Sequence, residues 1–336
     1  MKKKLLSLLL VLAMVMAFSG CADKSNTGGK DAGANGDEHY PVTFSTYNYA
    51  GEPVEFTVNK APEKVICAYQ NNIELMLRLG LGDKIVAAFG LDGPIAEDLK
   101  DEFAKIKYTQ KPISKEEAIA LSPDFILGWY SLFGEKNFGD VGYWHGTGCG
   151  TYMSLNSGCR KATKGYKQTI DDEFADILTI GKIFNVEEKA KKLVDDIRNE
   201  IAKIEKYTKD KHKVGIAILE DEGDSFRVYG ADTLGGDIAV KGGAKLTIGA
   251  ENSENVSAEE LIAKDPEAIF MIYFEGYNTP EDAVNSILKN PKLQSLQAVK
   301  NKKVFALNLT NVYCSGYRSY IGVKTIAENL YPELYK

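Results

Sequence analysis

"SKEEAIALSPDFILG", residues 114–128, returns 143 positions later as "SAEELIAKDPEAIFM", residues 257–271. Ser114 corresponds to Ser257, and Glu116 and Glu117 to Glu259 and Glu260. Ile119, Ala120, Pro123 and Ile126 find Ile262, Ala263, Pro266 and Ile269. Each copy opens on a serine with a glutamate three residues on, the signature of a helix start closed by a capping box. Each then passes a proline, which cannot continue a helix, into an apolar run of strand length. One helix-then-strand unit written twice implies two related halves.

The sequence around each copy alternates in the same way. "KVICAY" (64–69), "KIVAAFG" (84–90) and "DFILGWY" (124–130) read as strands, and "NIELMLRLG" (72–80) as a helix closed by Gly80. In the second half "KVGIAIL" (213–219) echoes "KVICAY", and "AIFMIYF" (268–274) echoes "DFILGWY". "KKVFALNL" (302–309) adds a strand, and a helix from about Tyr320 to Leu330 closes the chain. Ahead of all this, "VTFSTYNYAGEPVEFTV" (42–58) reads as a hairpin turning at Ala50-Gly51. Residues 170–184 suggest another helix.

Between the halves lies the longest helical pattern, "VEEKAKKLVDDIRNEIAKIEKY" (186–207). Its apolar positions, Val186, Ala190, Leu193, Val194, Ile197, Ile201 and Ile204, recur at spacings of three and four. Asn185 is placed to cap it with Glu188 completing a capping box, and Glu187–Lys191 and Glu188–Lys192 are pairs one turn apart. At about 1.5 Å per residue the helix would span roughly 33 Å. The expected fold class is α/β: two αβ lobes with mostly parallel central sheets, joined by one long rigid helix. The expected boundaries are 41–185 for the first lobe, 186–210 for the linking helix and 211–336 for the second lobe. In such sheets ligands bind beyond the carboxyl ends of the strands.

The ends say where the chain goes. Lys2, Lys3 and Lys4 precede an apolar run, Leu5 to Phe18, that is too short to span a bilayer, so residues 1–21 read as a signal peptide. The run ends in Phe18-Ser19-Gly20-Cys21, which looks like a bacterial lipobox with Cys21 as the lipidated first mature residue. Residues 22–40 are polar and rich in Gly, Asp and Lys, as a flexible tether would be. An outer-face, lipid-anchored location is expected, with a monomeric receptor.

The net charge of −6 argues against a nucleic-acid partner. Of the remaining cysteines, Cys67 sits in an apolar run, and Cys149 and Cys159 flank a loop where a disulfide is conceivable. With three histidines and no Cys-x-x-Cys, no intrinsic metal site or cofactor is expected. Gly-x-Ser-x-Gly, phosphate-loop and His-Glu-x-x-His motifs are absent, so the chain does not read as an enzyme.

Taken together, "APEKVICAYQNNIELMLRLGLGDKIVAAFG" (61–90), both Glu-helix-Pro-strand units, the long helix and "LQAVKNKKVFAL" (296–307) resemble the class III substrate-binding proteins of bacterial ABC importers. The likeness covers roughly residues 60–336. It implies capture of a ferric siderophore between two lobes and delivery to an importer permease, with a corrinoid or haem as the alternative ligand. It also implies a role for Glu116 and Glu259, the glutamates that capping leaves unused: each would dock onto the permease from one lobe. Helix-dipole complementarity is the competing reading of this pair.

The loops after the strands supply candidate ligand contacts. In the first half these are Tyr69, Leu91, Asp92, Trp129, Tyr130, Tyr152 and Asn156; in the second, Tyr229, Tyr273, Phe274, Tyr313 and Arg318. So many aromatics suit a bulky ligand, although packing competes as the explanation of any one of them. "NSGCR" and "CSGYR" end in Arg160 and Arg318, forks suited to an anion. His145 is a weaker candidate for touching iron.

Overall fold

The computed structural model describes residues 39–162, 165–250 and 254–335, with no account of the side chains of 159–162. The signal peptide, Cys21 and nearly all of the tether therefore lie outside the described residues. No described helix is long and apolar enough to cross a membrane.

A hairpin comes first, β1 (Val42–Tyr47) and β2 (Pro53–Val58), paired antiparallel from Val42↔Val58 to Tyr47↔Pro53. It reverses at Asn48–Gly51, where Gly51 takes φ 86. The first α/β half follows: β3 (Val65–Ala68), α1 (Gln70–Arg78), β4 (Ile85–Phe89), the short helix α2 (Lys100–Phe103), β5 (Tyr108–Thr109), α3 (Lys115–Leu121), β6 (Phe125–Gly128), α4 (Val141–Gly146), β7 (Gly150–Met153) and α5 (Leu155–Ala162). Its five strands form one parallel sheet in the order β5-β4-β3-β6-β7. Two helices then run in succession, α6 (Ile170–Ile183) and α7 (Glu187–Thr208). The second half comprises β8 (Gly215–Asp221), β9 (Phe226–Val228), α8 (Leu234–Lys241), β10 (Lys245–Leu246), α9 (Ala258–Lys264), β11 (Ala268–Tyr273), α10 (Pro280–Leu288), α11 (Gln297–Lys300), β12 (Val304–Asn308) and α12 (Ser319–Leu330). Here β10-β8-β11-β12 are parallel, and β9 pairs antiparallel with β8.

Strand periodicity divides the core. Val65 and Cys67 face one side of the first sheet, Ile66 and Ala68 the other. Ile216, Ile218, Phe270 and Ile272 join Val65 and Cys67 in one cluster, to which α7 contributes Ala190, Val194, Ile197, Ile201 and Ile204. The apolar stripe of the 22-residue helix is thus a spine shared by both sheets. Each fully buried Ile or Val on it is worth about 1.5–3 kcal/mol of transfer free energy. Gly181 lets α6 meet α7, since a Cβ there would lie 2.3 Å from that of Ala190.

The repeat is borne out as helix chemistry. Ser114 and Ser257 cap α3 and α9, and Glu117 and Glu260 return bonds to the cap N–H groups, completing both boxes. These bonds hold the two glutamate carboxyls below their ordinary value.

Two expectations need correction, and the state of Cys149 is settled. Asn185 does not cap α7. It takes φ 55 and ends α6, with its N–H on Lys182 O at 3.3 Å and the Val186 N–H on Gly181 O at 2.8 Å. That is the six-to-one, five-to-two bonding of a helix C-terminus, and it places Asn185 in the left-handed region where Asn is tolerated. Lys191 and Lys192 pair forward with Asp195 and Asp196, both at 2.6 Å, rather than back with Glu187 and Glu188. Glu187 instead meets His39 at 3.3 Å. Finally, Cys149 is a buried free thiol. It precedes β7, whereas Cys159 follows in α5.

Candidate functional site

In the first sheet the chain leaves the central strand β3 toward β4 on one side and returns to β6 on the other. The crevice this creates opens beyond the carboxyl ends of β3 and β6. Tyr69 is the residue after β3 and Trp129 the residue after β6, and their rings stack at 4.2 Å between centroids and 11° between planes. Tyr69 reaches that position with φ 73 and ψ 156, a region that costs a non-glycine residue about 1–3 kcal/mol. The surroundings hold it there. Its N–H donates to Phe89 O at 2.9 Å, its hydroxyl lies 3.1 Å from Ser131 Oγ, and Gly90, at φ 80, leaves room for the ring. Trp129 Nε1 donates to the buried Asn71 Oδ1 at 2.9 Å, fixing the indole.

The second half meets this platform. Tyr313, beyond β12, stands edge-on to Trp129 at 5.2 Å. Glu275, beyond β11, donates its N–H to Asp92 O at 3.0 Å. Asp92 is half-buried beside Tyr69 and Tyr108, and burial pushes its carboxyl up to about 6. The structure thus brings together Tyr69, Asp92, Trp129 and Tyr313 from the sequence-derived candidates.

It adds Arg227, which sequence reasoning missed. This residue lies on β9 between two buried apolar residues and is half-buried itself. Its guanidinium is 3.7 Å from Glu220, 5.4 Å from the Tyr229 ring centroid, and within electrostatic reach of Tyr313. The signal was available in "FRV", a charged residue alternating with apolar ones in a strand-length run.

The remaining candidates have other contacts. Tyr152 is 3% exposed, packs on Phe44 and donates to Asp176 at 2.8 Å. Asn156 is fully buried and donates to Thr169 O and to Glu173 at 2.7 Å. Both are interior residues, because the end of β7 is covered by α5 and α6. Tyr229 is buried, with its hydroxyl on Glu220 at 2.7 Å. Tyr130 stacks on Tyr49 of the hairpin, and Phe274 on Tyr277. Tyr273 packs half-buried against the outer core of the second sheet. Leu91 packs half-buried against the main core. The side chain of Arg160 lies outside the described residues. His145 bonds Thr151 at 2.9 Å and packs on Phe56.

Arg318 is the largest correction. It is 8% exposed and forms a fork on Glu74 of α1, with Nε at 2.8 Å and Nη2 at 2.5 Å from the two carboxylate oxygens. Its remaining N–H groups donate to Thr310 Oγ1 at 3.2 Å and Pro94 O at 2.7 Å. Glu74 also accepts from Gln70 and from the Ala96 N–H. The guanidinium donates to groups of both halves of the molecule and so ties them together.

Glu116 and Glu259 occupy the second position of α3 and α9. Both are exposed, and neither forms a salt bridge among the described residues.

A model of the periplasmic binding protein family matches residues 65–309. The chain is 25% identical over 338 residues to an uncharacterized ABC transporter substrate-binding lipoprotein, YvrC, of Bacillus subtilis, covering 97% of this chain and 96% of the relative. It is 24% identical over 313 residues to an iron-uptake system-binding protein of the same organism, covering 90% of each. Among solved structures, a periplasmic binding protein from Veillonella parvula superposes with a TM-score of 0.78 at 30% identity, covering 88% of this chain and 93% of that one.

Proposed function

The chain belongs to the periplasmic binding protein family and is a solute receptor rather than an enzyme; from that premise we propose that it captures an anionic ferric siderophore and hands it to an ABC importer permease. The observation that carries this reading is the strained, stacked pair Tyr69–Trp129 at the crevice of the first sheet, faced by Tyr313 from the second. Such a platform is excessive for a bare ion and suits a bulky, partly aromatic chelate. In this reading Arg227 and Arg160 supply the positive charge for an anion: Arg318 is held tightly by Glu74, whereas Arg227 meets Glu220 only at 3.7 Å. The relative named for iron uptake supports an iron-bearing ligand. A corrinoid would use the platform but has little need of the arginine.

Glu116 and Glu259 are the docking anchors in this reading. Capping leaves their carboxylates unengaged, one on each half, at matched positions. Changing both to Arg abolishes uptake and leaves ligand affinity in solution unchanged, because like charge then faces the basic permease surface. Normal uptake by the double variant refutes the assignment. Lipidation at Cys21 holds the receptor at the outer face of the membrane. The Cys21→Ser protein is then released from the membrane fraction, and its retention there contradicts the anchor.

A further inference from the structure

The two helices of the repeat, α3 and α9, are matched in sequence but not in what surrounds them. On α3, Ile119 lies one turn beyond Glu116 on the same face and is 42% exposed. Beside it Tyr143 of α4 is 43% exposed. Between them lies a recess of about 330 Å³, lined by Ile119, Ser122, Pro123, Tyr143, Trp144 and Thr147. Lys115 is held over the Tyr143 ring at 4.0 Å, so its charge is turned onto the aromatic face. On α9 the equivalent isoleucine, Ile262, is partly buried and packs against the outer core of the second half. There the 297 turn is bonded onto α9: Gln297 donates to Asp265 through both its backbone and its side chain. Pro266 is buried where Pro123 is half-exposed.

Two equivalent carboxylates cannot tell a partner which half is which. A recess present on one half only can. We propose that the permease inserts one apolar side chain into the Ile119–Tyr143 recess, one helical turn from the basic residue that meets Glu116, and that this contact sets the orientation of docking. The inference rests on the docking role of the glutamates. Its occupant is a permease segment carrying a cation and an aliphatic or aromatic residue about 5–6 Å apart. An unpaired carboxylate continuous with exposed apolar side chains has that chemistry as its complement.

The test uses the full-length chain and its importer permease, co-purified in detergent, with affinity measured for each variant. Ile119→Gln and Tyr143→Gln remove apolar surface without adding charge, and each is expected to weaken the complex about tenfold, the scale of one lost interface side chain. Ligand affinity and melting temperature stay at their native values. If Glu116→Arg with Glu259→Arg leaves the complex intact, the docking reading beneath this inference fails. If that double variant dissociates while Ile119→Gln and Tyr143→Gln bind as tightly as the native chain, the recess is not part of the contact. If the native chain self-associates and Ile119→Gln abolishes that association without affecting the permease complex, the recess belongs to a second copy and the inference is overturned.

Discussion

Asp92 shows how a single residue turns burial into a functional dependence. Its carboxyl is raised from 3.8 to about 6 because it is taken out of water beside the aromatic platform. An acid raised in this way favours the folded state most below its ordinary value and loses that contribution as pH rises through about 6. The same sign governs an anionic ligand, which a neutral Asp92 admits and an ionised one repels. Affinity for a siderophore of constant charge should therefore fall several-fold between about pH 5 and about pH 7, and Asp92→Asn should remove the dependence. A native profile flat over that range would contradict the placement of Asp92 at the ligand. The residues legible from sequence here were Tyr69 and Trp129, directly after β3 and β6, and Tyr313, in the loop beyond β12. Tyr152, Asn156 and Arg318 were named by the same logic and lie inside, because an excess of polar partners at a strand end leaves no mark in the order of residues.

At the scale of elements, both capping boxes and most strands and long helices could be read before the structure, since caps and apolar runs are local signals. What could not be read was how one element ends and the next begins. Asn185 suits a helix start in sequence and serves a helix end in the fold, with φ 55 as the deciding fact. The tie between α1 and the 316–318 turn was invisible for a related reason, because its two partners are 244 residues apart. This tie makes a specific stability prediction. Arg318→Ala leaves Glu74 buried without its cation, which costs about 3–5 kcal/mol. Replacing both members by apolar residues, Arg318→Met with Glu74→Leu, should cost markedly less, since no charge is then stranded. Thermal unfolding of the two variants decides this. Equal losses would contradict the stranded-charge account, and a loss of ligand affinity at native stability in Arg318→Ala would return Arg318 to the ligand.

For the whole molecule, the two halves share one core along α7 and are tied again by Arg318, so large independent movement of the lobes is opposed at two places. The ligand must then enter between surfaces already close, with Trp129 and Tyr313 as the nearest aromatic pair across the crevice. Trp129 is consequently the natural reporter. The chain has two tryptophans, and the second, Trp144, is buried away from the crevice, so Trp144→Phe leaves Trp129 as the sole indole. The decisive measurement is the fluorescence of that protein titrated with anionic ferric siderophores, cobinamide and haem, with and without Arg227→Ala. The account predicts saturable quenching by a ferric siderophore, weakened roughly tenfold to a hundredfold by Arg227→Ala, as the loss of a charge-assisted bond implies. Tight corrinoid binding indifferent to Arg227, with no response to any ferric siderophore, would contradict it.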